Sequence, residues 1–131
     1  MNQEALTKTM LEAETWAVVG ANADTGKFGN RIYQTLKNHG YRVYAVNPTC
    51  RSINGDPCYP DLASLPVRPD VINMVVSPER GAGVIEEAGR LGIPYAWFQP
   101  GTHEPELVRR AEALGITTLR HCVLVALSST E

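Results

Sequence analysis

A short apolar run followed by a loop with several glycines constrains the fold of this chain most. The run Trp16–Val19 ends at Gly20, a polar loop containing Gly26 and Gly29 follows, and a helical pattern then begins. This order of strand, glycine loop and helix holds a phosphate against backbone N–H groups at the helix N-terminus. The stretch therefore predicts a site for a phosphate-rich nucleotide ligand.

Short apolar runs alternate with amphipathic patterns along the rest of the chain. Strands are predicted over residues 15–20, 41–46, 70–76, 94–98 and 116–119, and helices over residues 2–13, 28–38, 78–91 and 104–114. Such alternation is typical of a parallel sheet that carries helices on both faces. We therefore predict an α/β fold with a Rossmann-like, doubly wound, five-stranded parallel sheet, in the strand order 3-2-1-4-5.

Several local features carry finer expectations. Helical spacing places Phe28 and Leu91 on buried helix faces. Residues 49–60 are rich in Asn, Gly, Asp and Pro and are expected to form a loop. Asn73 interrupts an apolar strand, so we expect it near a sheet edge or beside a hydrogen-bond partner. The apolar segment 121–127 carries no clear period, and its conformation is left open.

Composition and charge limit the classes of partner. The chain is 44% hydrophobic with a net charge of −2, as expected of a globular protein with no affinity for nucleic acid or an anionic membrane. Residues 21–51, however, contain five Lys and Arg residues against the single acidic residue Asp24. This basic segment suits a polyanionic ligand, and a solvated basic helix face is the alternative.

Length and cysteine usage indicate one domain in a reducing compartment. We expect a single domain over residues 1–131, with an N-terminal helix in residues 1–13 and a tail at residues 128–131. The three cysteines form no CxxC pair, and neither a signal peptide nor a membrane-spanning run is evident. We therefore expect a cytoplasmic protein without a disulfide framework and without a metal site.

The ligand of such a sheet lies in the crevice beyond the carboxyl ends of its strands. The residues that follow the strands there are Gly20, Ala21, Asn22 and the loop to Gly29, then Asn47, Pro48, Ser77, Pro78, Gln99, Pro100, Gly101, His121 and Cys122. Two departures argue against a nicotinamide dinucleotide. The glycine spacing is wider than GxGxxG, and Asn47 stands where an acidic residue would bind the ribose.

Seven segments, in this order, resemble the small stand-alone CoA-binding proteins related to the N-terminal domain of the succinyl-CoA synthetase α subunit. They are VVGAN, KFGN, VYAVNP, INGDPCYPDLASLP, PDVINMVVSPE, WFQPG and HCVLV. The resemblance implies a Rossmann-like fold that holds CoA across the strand ends. It also implies binding roles for Gly20, Ala21, Asn22, Lys27, Phe28 and Gly29 at the phosphates, for Asn47, Pro48 and Arg51 at the adenosine and its 3′-phosphate, and for Ser77, Pro78, Gln99 and Gly101 along the pantetheine.

The same resemblance bears on catalysis. In the synthetase-like enzymes a phosphorylated histidine and a nucleotide-grasping domain lie beyond the CoA-binding domain, and we expect no complete acyl-CoA ligase in this chain. The interpretation we adopt is a binding protein for CoA or acyl-CoA that acts as a carrier, sensor or partner subunit. The alternative is a small enzyme that works on a CoA thioester or binds NAD(P), with Cys122 and His121 in the reaction. A protein partner and a homo-oligomer are both left open.

Overall fold

The centre of the fold is a sheet that runs through the molecule from residue 15 to residue 120. The computed structural model describes residues 2–128, and within them the sheet has seven strands. The strands are β1 (Thr15–Val19), β2 (Arg42–Val46), β3 (Ser52–Ile53), β4 (Asp56–Tyr59), β5 (Val71–Met74), β6 (Tyr95–Phe98) and β7 (Thr117–Arg120). The helices are α1 (Gln3–Leu11), α2 (Phe28–Asn38), α3 (Pro78–Leu91), α4 (Pro105–Ala113) and α5 (Val123–Ser128).

The strand order is β3-β4-β2-β1-β5-β6-β7. Every pairing is parallel except that of β3 with β4. The chain moves outward from β1 through β2 to β4 and then returns to the other side of β1 at β5. This reversal creates a topological switch point beside β1, which is where open α/β sheets bind ligands. The predicted Rossmann-like α/β class is confirmed.

The predicted strand count and order were wrong. Residues 49–60 are not simply a loop, because they contain the β3–β4 hairpin. Asn54 and Gly55 join its strands with positive φ angles of 51° and 88°, as a two-residue hairpin turn requires. β4 occupies the place beside β2 that the prediction assigned to residues 70–76, and β5 pairs with β1 instead.

Two apolar layers sandwich the sheet, because side chains alternate between its faces along each strand. Trp16 and Val18 of β1 pack with residues of α1, α2 and α5. Ala17 and Val19 pack on the other face with residues of α3 and α4. The helices thus cover both faces and leave the carboxyl ends of the strands open.

Three expectations about single residues need correction or completion. Phe28 is 55% exposed and Leu91 is 36% exposed, so neither lies on a buried face. Asn73 lies in the middle of the sheet, where its Nδ2 donates to Gln99 Oε1 over 3.4 Å, so the partner was expected correctly and the edge was not. Of the expected tail, Ser128 ends α5 and residues 129–131 lie outside the described residues.

Candidate functional site

Three cavities adjoin one another at the carboxyl ends of β1, β2, β5 and β6. The first, here called the α3 cavity, has about 290 Å³ and is lined by Gly20, Asn47, Pro48, Arg80, Val84 and Glu87 among others. The hairpin cavity has about 330 Å³ and is lined by Asn22, Asn47, Thr49, Cys50, Arg51 and Ser52 among others. The β6 cavity has about 350 Å³ and is lined by Phe28, Ser77, Gln99, Gly101, Thr102 and Cys122 among others. Shared residues join them, since Asn47 lines the first two and Val76 lines the first and the third.

Two glycines let the loop after β1 approach its neighbours closely. Gly20 has a φ of +101°, and its N–H donates to Val46 O over 2.9 Å. A Cβ on Gly20 would lie 2.8 Å from Val75 O, and one on Gly29 would lie 2.1 Å from Gly20 O. Both positions therefore require glycine, and α2 begins directly against the end of β1.

Side-chain oxygens shape the loop between these glycines. Asn22 Oδ1 accepts from Asp24 N over 2.8 Å, and Asp24 Oδ1 accepts from Gly26 N over 2.9 Å. At the loop's end, the N–H groups of Phe28 and Gly29 have no hydrogen-bond acceptor among residues 2–128. Unpaired N–H groups at a helix N-terminus, combined with the helix dipole, favour an anion.

Asn47 holds the loops together at the end of β2. Its Nδ2 donates to Ala21 O over 2.8 Å, while its Oδ1 accepts from Thr49 N and Thr49 Oγ1 over 3.0 and 2.9 Å. The side chain that replaces the expected acidic residue is therefore engaged with protein on both sides. The amide ties the glycine loop to the segment that follows β2.

The face of α3 contributes a wall that the sequence interpretation missed. Arg80, Val84 and Glu87 line the α3 cavity at positions i, i+4 and i+7, and this helical spacing was the available signal. Glu87 accepts hydrogen bonds from Leu62 N and Ala63 N over 3.0 and 3.1 Å. Its carboxylate therefore anchors the turn after β4 to α3.

The structure brings most of the predicted site residues to these cavities. The predicted residues that line at least one cavity are Gly20, Asn22, Phe28, Asn47, Pro48, Arg51, Ser77, Gln99 and Gly101. Phe28, which was expected at the phosphates, lines the β6 cavity. Ala21 and Gly29 are buried behind the loop, Lys27 is exposed just before α2, and Pro78 is the first residue of α3.

Gln99 is a buried link between the end of β6 and the start of α5. Its Oε1 accepts from Val123 N over 2.9 Å, and its Nε2 donates to Cys122 Sγ over 3.6 Å. The Cys122 thiol lines the β6 cavity. His121 instead stacks on Trp97 with ring centroids 5.8 Å apart and lines a groove beside α1. The two residues of the suggested catalytic pair thus line different cavities.

The other two cysteines are neighbours: Cys58 belongs to β4, and Cys50 precedes β3. Burial, followed by a hydrogen bond with the Cys50 thiol, raises the pKa of Cys58 to about 12. A thiol with so high a pKa is a poor nucleophile. Among residues 2–128 no group of three or more His, Cys, Asp or Glu side chains is arranged to hold a metal ion. The same residues include no helix with the length and apolar character needed to cross a bilayer.

Comparison with known proteins assigns the chain to a family. Residues 14–128 match the family described as the CoA binding domain. The chain belongs to this CoA-binding family. It is 37% identical over 110 residues to acetate–CoA ligase (ADP-forming) I of Archaeoglobus fulgidus. The match covers 76% of this chain but only 16% of that ligase.

Solved structures place the same fold in small proteins and in part of a synthetase. A hypothetical protein from Pyrococcus horikoshii OT3 superposes with a TM-score of 0.91 at 26% identity, covering 98% of this chain and 92% of that one. Acetyl-coenzyme A synthetase 1 of Ca. Korarchaeum cryptofilum, described as dinucleotide forming and solved with phosphate and ADP, has a TM-score of 0.74 at 32% identity. That match covers 83% of this chain and 26% of the synthetase chain. The predicted relationship to CoA-binding domains of such enzymes is confirmed.

Proposed function

We propose that this protein binds CoA or an acyl-CoA across the three cavities and catalyses no reaction of its own. The observation that carries the proposal is a set of three joined cavities around the glycine loop in a chain of the CoA-binding family. The apolar-walled α3 cavity shares lining residues with the hairpin cavity, which contains Arg51, and with the β6 cavity. CoA has three parts of matching chemistry: a purine nucleoside, a group of phosphates and an extended pantetheine arm.

The α3 cavity suits the adenine. Val46, Pro48, Val76 and Val84 supply apolar walls for the faces of a purine. Asn47 is committed to Ala21 and Thr49, so the end of β2 offers no carboxylate to a ribose 2′-hydroxyl. This arrangement favours CoA over NAD, whose sites place an acidic residue there.

The glycine loop and the hairpin suit the phosphates. The unpaired N–H groups of Phe28 and Gly29 offer a seat for the diphosphate at the start of α2. Lys27 and Arg51 are exposed, and within residues 2–128 neither forms an ion pair. We assign Arg51 to the 3′-phosphate, because a guanidinium binds phosphate oxygens in a bidentate manner.

The β6 cavity suits the pantetheine arm. Its apolar lining includes Ile32, Val75 and Val76, and polar groups of Ser77 and Thr102 lie along it. The arm would run towards Gln99 and Cys122 at the start of α5. Phe28, whose exposed ring faces this cavity, would cover one side of the arm.

The absence of catalysis is proposed from how the acidic groups at the cavities are used. Asp61 and Glu87 line the α3 cavity, and both carboxylates accept hydrogen bonds from backbone N–H groups. A carboxylate engaged in this way serves the fold and is poorly placed as a general base. Three free thiols fit the cytoplasm, which we propose as the compartment.

Titration calorimetry of the wild type and Arg51→Ala with CoA and dephospho-CoA tests the proposal. We expect Arg51→Ala to weaken CoA binding by about tenfold or more, since a charge-assisted hydrogen bond contributes roughly 1.5–3 kcal/mol. Dephospho-CoA binding should change less than about twofold, because it lacks the phosphate that Arg51 would hold. Arg42→Ala, which removes the same charge at the start of β2, is the matched control.

Two results would count against the proposal, one against the role of Arg51 and one against the absence of catalysis. Equal losses of affinity for CoA and dephospho-CoA in Arg51→Ala would show that Arg51 does not bind the 3′-phosphate. Acetyl-CoA incubated with the wild-type protein should release no free thiol beyond the buffer rate. Protein-dependent release would overturn the non-catalytic part of the proposal.

A further inference from the structure

One buried amide lies where the glycine loop, α2 and the hairpin meet. Asn30, in the first turn of α2, is only 4% exposed. Its Nδ2 donates to Asn22 O over 2.9 Å and to Asn54 Oδ1 over 3.0 Å. A single NH₂ group therefore joins the backbone of the glycine loop to the tip of the β3–β4 hairpin.

At the hairpin end of this link, the backbone conformation and hydrogen bonds of Asn54 hold its side chain in place. Asn54 has a φ of +51°, a left-handed conformation that is uncommon for residues other than glycine. Its Nδ2 donates to Gln34 Oε1 over 2.9 Å, so two residues of α2 hold the same side chain. Gln34 contacts the hairpin and, within α2, Asn38, whereas Asn30 contacts both the hairpin and the glycine loop.

The backbone of Arg51 is hydrogen-bonded to the hairpin. Arg51 O accepts from Cys58 N over 2.9 Å, one residue before the β3–β4 ladder begins at Ser52. The guanidinium is therefore carried by the hairpin, while the N–H groups of Phe28 and Gly29 are fixed to α2 and the glycine loop. Asn30 contacts both of these elements, the glycine loop through Asn22 and the hairpin through Asn54.

We propose that Asn30, through Asn54, is a positioning residue that aligns Arg51 with the glycine loop and thereby sets the preference for a ligand with a 3′-phosphate. The inference rests on the proposed CoA binding and names a device within that site. A ligand held at two separate phosphates gains affinity when both holding groups are fixed at the right distance beforehand. Loss of the link removes the contact that ties the hairpin tip to the glycine loop, and the contribution of Arg51 falls.

Asn54→Gly is the variant that tests the link most cleanly. Glycine adopts the left-handed conformation freely, so the turn is kept while the side-chain amide is lost. Gln34→Ala is the matched control, because it removes the second partner of Asn54 and leaves the Asn30 contact in place. Thermal unfolding of each variant verifies that it is folded before ligand is added.

The readout is the ratio of the dissociation constants for dephospho-CoA and CoA. We expect Asn54→Gly to lower this ratio at least fivefold and Gln34→Ala to leave it within twofold. In an Arg51→Ala background, adding Asn54→Gly should change the ratio less than twofold, because the group that Asn54 positions is already gone. Asn30→Asp, which replaces the donor with an acceptor, should lower the ratio as Asn54→Gly does and should also weaken dephospho-CoA binding, since the glycine loop is released as well.

Three results would overturn the inference. They are an unchanged ratio in Asn54→Gly, an equal drop in Gln34→Ala, and an effect of Asn54→Gly that persists without Arg51. If the wild type binds CoA and one of these results is found, the positioning role fails and the proposed function stands. If the wild type does not bind CoA, the proposed function itself fails and this inference fails with it.

Discussion

At the scale of single residues, the glycine at the start of α2 is the most constrained position of the site. A Cβ on Gly29 would lie 2.1 Å from Gly20 O, whereas one on Gly83, in the middle of α3, meets no atom within 4 Å. Alanine favours a helix over glycine by up to about 1 kcal/mol. At Gly29 the overlap with backbone outweighs this gain, because neither the carbonyl nor the helix end can move independently.

We therefore expect Gly29→Ala to lower the free energy of unfolding by about 2 kcal/mol or more. Gly83→Ala should raise it by roughly 0.5–1 kcal/mol, since the same methyl group enters open space. Urea unfolding of both variants and the wild type measures the difference. Equal effects of the two substitutions would show that close packing against Gly20 does not fix the loop.

At the scale of elements, the hairpin depends on a charged contact with α2. Asp56 Oδ2 accepts from Lys37 Nζ over 2.5 Å and from Tyr33 Oη over 2.9 Å. The hydrogen bond from Lys37, which has the larger effect, and that from Tyr33 lower the pKa of Asp56 below its ordinary value. A lowered pKa in the folded state stabilises the fold above the unfolded pKa of about 3.9, and this stabilisation disappears as the pH falls through the folded pKa.

The difference in unfolding free energy between the wild type and Asp56→Asn should thus be constant near neutral pH and shrink below about pH 4. Both charged side chains are about one-third exposed, so solvent screening limits the difference to about 1 kcal/mol or less. Urea titrations at pH 7 and pH 3 measure it. A difference of the same size at both pH values would rule out ionisation of Asp56 as its cause.

The helices and strands differ in how well the sequence predicted them. Strands and helices with strong periods were predicted to within two residues at each end, because their apolar faces are fixed by burial. The hairpin was missed because its strands are short and contain Pro57, although Asn54-Gly55 is the usual sequence of a two-residue turn. Without β4, the order of the strands around β1 could not be assigned correctly.

The site was predicted in part for a similar reason. Residues directly after a strand share one edge by topology, so Gly20, Asn47 and Gln99 could be named from sequence. Arg80 and Glu87 were not named, because their spacing marks one face of α3 but only packing decides that this face lines the cavity. The link from Asn30 to Asn54 spans 24 residues and depends on a hairpin that the sequence interpretation did not contain.

At the scale of the whole molecule, helices cover both faces of the sheet and leave the carboxyl ends of its strands open. Three joined cavities lie there around the glycine loop. Because the proposed ligand would contact all three cavities, its affinity should depend on all of them and not on a single contact. A ligand that lacks the pantetheine arm and the 3′-phosphate should bind much more weakly.

Calorimetric titration of the wild-type protein with CoA, NAD and NADP under the same conditions tests this claim most directly. We expect one saturable site for CoA, with an affinity at least about tenfold higher than for either nicotinamide dinucleotide, a difference of about 1.4 kcal/mol. The absence of saturable CoA binding up to about 1 mM, or tighter binding of NAD or NADP than of CoA, would contradict the account.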